Sequence, residues 1–122
     1  MAEHPLPHGY GGSEALEGRL TALLARGGIR ETIGSSREGR PIHAYRWGEV
    51  GAPAILVISL LHPMEWIGLE THLALLEEML SDADPALRRS PALLSIPIAN
   101  PDGFARVEAS LRDDRPRWVR GN

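Results

Sequence analysis

The 122-residue sequence contains no cysteine and no lysine. Without cysteine there is no disulfide framework and no thiolate metal site, so any transition metal must be held by histidine and carboxylate. All 13 basic residues are arginine, set against 16 acidic residues for a formal net charge of −3. A mixed surface of small net charge excludes the strongly basic face of a nucleic-acid binder. Long hydrophobic runs are missing too. The most apolar one, Ala54 to Leu61, falls well short of the ~20 residues that cross a membrane. The amino-terminal stretch lacks the apolar core of a secretory signal. A soluble, cytoplasmic protein that contacts neither membrane nor nucleic acid is therefore expected, with no signature of oligomeric state.

What is present fits one modest domain or a piece of one. Residues 1–12 are polar and rich in His, Pro and Gly; they are expected to form a flexible arm on which His4 and His8 are solvated. Residues 13–122 read as one domain. Ser13 is a candidate cap for a helix over 14–26, whose Leu16, Leu20, Leu23 and Leu24 recur at helical spacing and which Gly27 and Gly28 stop. Segments 31–36 and 40–47 alternate as strands around Arg37-Glu38-Gly39, the pattern of a β-hairpin. His43 alternates there with Tyr45 and Trp47 and is expected to be a packed or surface residue. Ala54 to Leu61 has the unbroken apolar character of a strand buried on both faces. A helix over 66–80 follows, with Trp66, Leu69, Leu73, Leu76 and Leu80 on one stripe. After a polar loop from Ser81 to Pro91, residues 92–98 read as a second buried strand. Strand, helix, strand is the βαβ unit of a parallel sheet in an α/β protein. Asn100-Pro101-Asp102-Gly103 reads as a type I turn. Beyond it, Phe104 to Asn122 mixes five arginines with Glu108, Asp113 and Asp114 and reads as irregular and solvated.

The densest chemical signal lies between the apolar run and the helix, in His62-Pro-Met-Glu65. This strand-to-helix turn places an imidazole and a carboxylate three residues apart, able to aim at one point, and these are donor types that suit a catalytic zinc ion. With five His and eleven Glu in the chain, the pair alone is a weak signal. His72 follows Glu65 by seven residues on the expected helix, which puts it roughly 10 Å further along the axis, too far to share an ion whose ligands sit at ~2 Å. It is expected to be a hydrogen-bonded histidine at the edge of the core.

Four segments occur in order: Ile33-Gly34-Ser-Ser-Arg-Glu-Gly-Arg-Pro41-Ile42, His62-Pro-Met-Glu-Trp-Ile67, Asn100-Pro-Asp-Gly-Phe104 and Arg117-Trp-Val-Arg120. In these segments and their spacing, from about residue 13 to the end, the chain resembles the zinc metallocarboxypeptidases, the family of carboxypeptidases A and B. The resemblance implies the amino-terminal portion of an α/β domain with a mixed sheet, a partial three-layer α/β/α arrangement. It implies Zn2+ as cofactor, a peptide as substrate, and hydrolysis of C-terminal peptide bonds by metal-activated water. His62 and Glu65 match the first two zinc ligands, and Arg120 matches the arginine that steadies the oxygen developing negative charge on the scissile carbonyl. Asn100 to Gly103 would shape the turn beside the site.

Two departures qualify the match. Met64 stands where the digestive carboxypeptidases place an arginine, so one cationic contact to substrate is missing. The family's Asn-Arg pair for the substrate carboxylate, its third ligand His, its Tyr and its general-base Glu do not occur before Asn122. The isolated chain is accordingly expected to be inactive. Two alternatives stay open at this stage: a related zinc deacylase of N-acyl amino acids, and a non-catalytic remnant or binding module.

Overall fold

The computed structural model describes residues 4–81 and 91–120. Most of the expected 81–91 loop, and Asn122, lie outside them. The elements run α1 (Gly12–Leu24), β1 (Ile29–Ser35), β2 (Pro41–Trp47), β3 (Ala54–Ile58), α2 (Trp66–Met79), β4 (Ala92–Ile96) and α3 (Pro101–Leu111). The strands form one mixed sheet in the order β1-β2-β4-β3. β1 and β2 are the expected antiparallel hairpin, with a register shift between Thr32 and Gly34. Gly39 takes φ +81°, a left-handed conformation that glycine adopts without penalty, and closes the turn by donating to the Ser36 carbonyl. β2 pairs antiparallel with β4, and β4 pairs parallel with β3, so α2 is the crossover of the expected βαβ unit.

Register decides which face is covered. Tyr45 faces Ser95 and Trp47 faces Leu93 across the β2–β4 pair. On that side the sheet meets Leu16, Leu20 and Leu23 of α1, Leu69, Leu73 and Leu76 of α2, and Phe104, Val107 and Leu111 of α3 in one core. The Trp47 indole N–H donates to the Leu23 carbonyl, which fixes the end of α1 against β2. Gly27 follows at φ +88°, the left-handed residue that ends helices. Arg19 of α1 grips α2 by donating to both carboxylate oxygens of Glu77 and to Glu70, at 2.6–3.1 Å.

Several expectations are corrected. The run from Ala54 is an edge strand rather than a strand buried on both faces: Leu56 is 54% and Ile58 44% exposed. Its outer edge pairs with no described strand, and the face carrying Leu56, Ile58, Leu94 and Ile96 is covered by no described helix, so the described residues supply two of the three layers. Asn100 to Gly103 is not an isolated turn but the start of α3. Asn100 is its N-cap, accepting from the Gly103 N–H, and Pro101 takes the first helical position. The segment read as irregular thus begins with about two turns of this helix. Its Phe104, Val107 and Leu111 repeat at helical spacing, and burying each is worth about 1.5–3 kcal/mol. Ser13 makes no cap through its side chain. α1 begins at Gly12, two residues earlier than expected, and the Ser13 N–H is taken instead by the Glu108 carboxylate of α3, at 3.1 Å. Leu6 and Tyr10, on the expected arm, pack against the core. No described helix is long and apolar enough to cross a membrane.

His72 is buried among helices and strands. Ser59 donates its hydroxyl proton to the Pro97 carbonyl at 2.6 Å, so at the 2.7 Å contact with His72 its oxygen accepts and Nδ1 carries the proton. Nε2 then accepts from the Ser95 hydroxyl at 2.8 Å. The ring is neutral and fully satisfied, and burial pushes its pKa down to about 4. An unfolded His titrates near 6.5. The stability that the neutral ring contributes is therefore complete above about pH 6.5, and falls as acid protonates the unfolded state first, reaching a loss of at most about 3 kcal/mol near pH 4. Chemical denaturation should show this decline between pH 6.5 and 5, and His72→Gln, neutral throughout, should flatten it. The open edge generates a second expectation. Unpaired strand edges with apolar faces invite association, so sedimentation of the chain should show self-association that Leu56→Lys with Ile58→Lys abolishes.

Candidate metal centre

β3 delivers the site. Beyond Ile58, the Ser59 N–H donates to the Ile96 carbonyl, the Ala99 N–H to Ser59 and the Asn100 N–H to Leu60, at 3.0–3.1 Å. The chain leaves the ladder at Leu60, which adopts φ +52° although it is not glycine. His62 and Pro63 follow. The Glu65 N–H returns to the His62 carbonyl at 3.1 Å, and the buried Trp66 indole donates to the Pro63 carbonyl at 3.0 Å. This tight turn sets Glu65 at the N-terminus of α2.

His62 and Glu65 converge as the sequence reading expects. Nδ1 lies 3.3 Å from the Glu65 Oε1, and both side chains are about half exposed. A tetrahedral zinc with bonds of about 2.0–2.1 Å separates neighbouring ligand atoms by about 3.3 Å. The spacing and the nitrogen–oxygen donor set therefore fit two positions of such an ion. The pair sits outside the carboxyl end of a parallel strand, where open α/β sheets place ligands. Among the described residues no third His, Asp or Glu completes a cluster.

The remaining candidates fall elsewhere. His72 commits both ring nitrogens to Ser59 and Ser95. His43 contacts Thr32 at 3.2 Å, and His4 reaches Asp114 at 2.9 Å. Met64 is half-buried against the core. Arg120 is exposed, and among the described residues no hydrogen bond joins it to His62 or Glu65. Its segment is anchored on α3, Trp66 and the core. The Ser110 hydroxyl donates to the Arg117 carbonyl, Trp118 meets Trp66 edge-on with centroids 5.5 Å apart, and Val119 packs on the core.

The role of one residue in the Asn100 to Gly103 segment escaped the sequence reading. Asp102, buried at the start of α3, accepts from the Ser36 hydroxyl at 2.6 Å, the Arg40 guanidinium at 2.8 Å and the Glu38 N–H at 3.1 Å. Burial pushes its carboxyl up, but these donors outweigh that and hold it below its ordinary range. It clamps the hairpin turn to α3. Acidic residues in a first helical turn ordinarily favour the helix dipole, and nothing local signals a partner 62 to 66 residues away.

A family profile described as zinc carboxypeptidase matches residues 29–120. Among solved structures, carboxypeptidase A from Helicoverpa armigera superposes with a TM-score of 0.72 at 25% identity, over 91% of this chain and 28% of its own. Bovine thrombin-activatable fibrinolysis inhibitor, solved with a tick carboxypeptidase inhibitor, gives 0.69 at 19% identity, over 88% and 36%. A metallo-carboxypeptidase from Burkholderia cenocepacia gives 0.68 at 21%, over 75% and 27%. No curated protein matches the sequence significantly. The chain thus spans between 27% and 36% of the length of these structures. With the profile covering most of the sequence and the His62–Glu65 pair inside it, the chain belongs to the zinc carboxypeptidase family.

Proposed function

We propose that this chain is the amino-terminal portion of a zinc-dependent carboxypeptidase that hydrolyses C-terminal peptide bonds. The observation that carries the reading is the 3.3 Å approach of His62 Nδ1 to the Glu65 carboxylate at the end of β3, inside the segment matched by the family. His62 and Glu65 would hold the metal, which when bound supplies a Lewis acid and a water of lowered pKa. Arg120 would steady the oxyanion of the scissile carbonyl. A guanidinium stays charged at every working pH and offers several donors, which suits it to a developing negative oxygen. Met64 leaves the turn without a second cation, so peptide contacts there are apolar.

Two ligands fall below the three or four of ordinary zinc sites. The 122-residue chain should therefore bind Zn2+ weakly, and calorimetry should find that His62→Ala or Glu65→Ala removes what binding there is. Retention of that binding by both variants would move the metal elsewhere and end the proposal. In a full-length carboxypeptidase carrying this segment, Arg120→Ala should leave the metal in place and lower kcat about a hundredfold or more. A rise in KM with kcat intact would instead make Arg120 a substrate-binding residue.

A further inference from the structure

Leu60 combines features that work against each other. It is a non-glycine residue at φ +52°, a conformation that L-residues avoid because Cβ crowds the following carbonyl. It is also 3% exposed, with its side chain in the core. Such a conformation persists only where the surroundings over-determine it, and then clusters at functional sites. The surroundings here are explicit. The Leu60 carbonyl accepts from the Asn100 N–H, and the preceding Ser59 carbonyl from Ala99. The Ser59 side chain is tied to Pro97 and, through His72, to α2. Two residues later stands His62.

We infer that Leu60 is a positioning residue for the metal pair: its left-handed turn takes the chain off β3 at the angle that brings His62 onto Glu65. An extended residue at this point would continue the strand and carry His62 along the direction of β3, away from the start of α2. The Leu60 side chain, seated in the core, and the two backbone bonds from Ala99 and Asn100 hold the turn in place before any metal arrives. The Asn100 motif thereby has a second task. It caps α3 with its side chain and holds the site turn with its main chain.

The inference rests on the zinc reading above, so its test separates the two. Leu60→Ile conserves volume and apolarity but resists positive φ, being β-branched. Leu60→Gly accepts positive φ freely but empties the core position. The 122-residue chain and each variant would be compared by Tm, by the nitrogen-15 shifts of the metal-free His62 ring, and by titration with Zn2+ alone. Leu60→Gly should lower Tm more than Leu60→Ile yet keep the His62 shifts, and bind Zn2+ within about twofold of the parent. Leu60→Ile should move those shifts and weaken Zn2+ about tenfold or more. Should Leu60→Ile not fold, Leu60→Val, also β-branched, takes its place, with the same change of His62 shifts and loss of affinity expected and a smaller fall in Tm than Leu60→Gly gives. The inference is overturned if site and stability fall together across the variants, or if Leu60→Ile, or Leu60→Val in its place, keeps the parent's shifts and affinity. If the parent takes up no Zn2+, the zinc reading fails, while the His62 shifts still decide the positioning claim.

Discussion

The parallel ladder between β3 and β4 continues past both strand ends, through the N–H groups of Ser59, Ala99 and Asn100. Parallel pairing places the carboxyl ends of two strands at the same level, which antiparallel pairing cannot do. The His62 turn after β3 and the N-terminus of α3 after β4 therefore emerge side by side. Everything distinctive about the site follows from this adjacency: the bond from Asn100 to Leu60, the placement of α2 after the His62 turn, and the proximity of α3 to the hairpin that Asp102 clamps.

The polar groups that hold this arrangement divide by environment. Inside, Ser95, His72, Ser59 and Pro97 form a directed chain of neutral hydrogen bonds joining β4, α2 and the end of β3. A charge there would carry a large desolvation cost, and the lowered pKa of His72 shows the ring avoiding it. At the rim, ions do the joining. Arg19 ties α1 to α2, Glu108 accepts from the Ser13 N–H of α1, and Asp102 and Glu38 collect Arg40 and Arg106 around the hairpin turn. Exposed pairs of this kind contribute little singly, but several sharing partners fix orientation. Among the described residues no buried side-chain polar atom lacks a partner.

Much of this was legible in the sequence because it depends on local pattern. Leucines at helical spacing located α1 and α2, alternation located the hairpin, and the apolar runs located β3 and β4. The His62 to Glu65 spacing indicated the approach of these two side chains because both lie in one turn. What was not legible depends on distant partners. The exposure of β3 turns on what lies beside it, which its own apolar run cannot report. α3 was hidden by the arginine-rich stretch that follows it and by a tetrapeptide that suits a turn as well as a helix start. Phe104, Val107 and Leu111, with Asn100 as a cap before Pro101, were the signal that could have revealed it. Leu60 gave no warning, since nothing in a leucine announces a positive φ.

The central claim is that His62 and Glu65 share one metal ion at the end of β3. Paramagnetic broadening by substoichiometric Co2+ tests it most directly, because broadening falls steeply with distance from the ion. The account predicts that broadening begins at His62 and Glu65, spreads to Leu61 and Trp66, and leaves His4 and His43 sharp. Broadening centred on His4 and Asp114, or on His72, would contradict it.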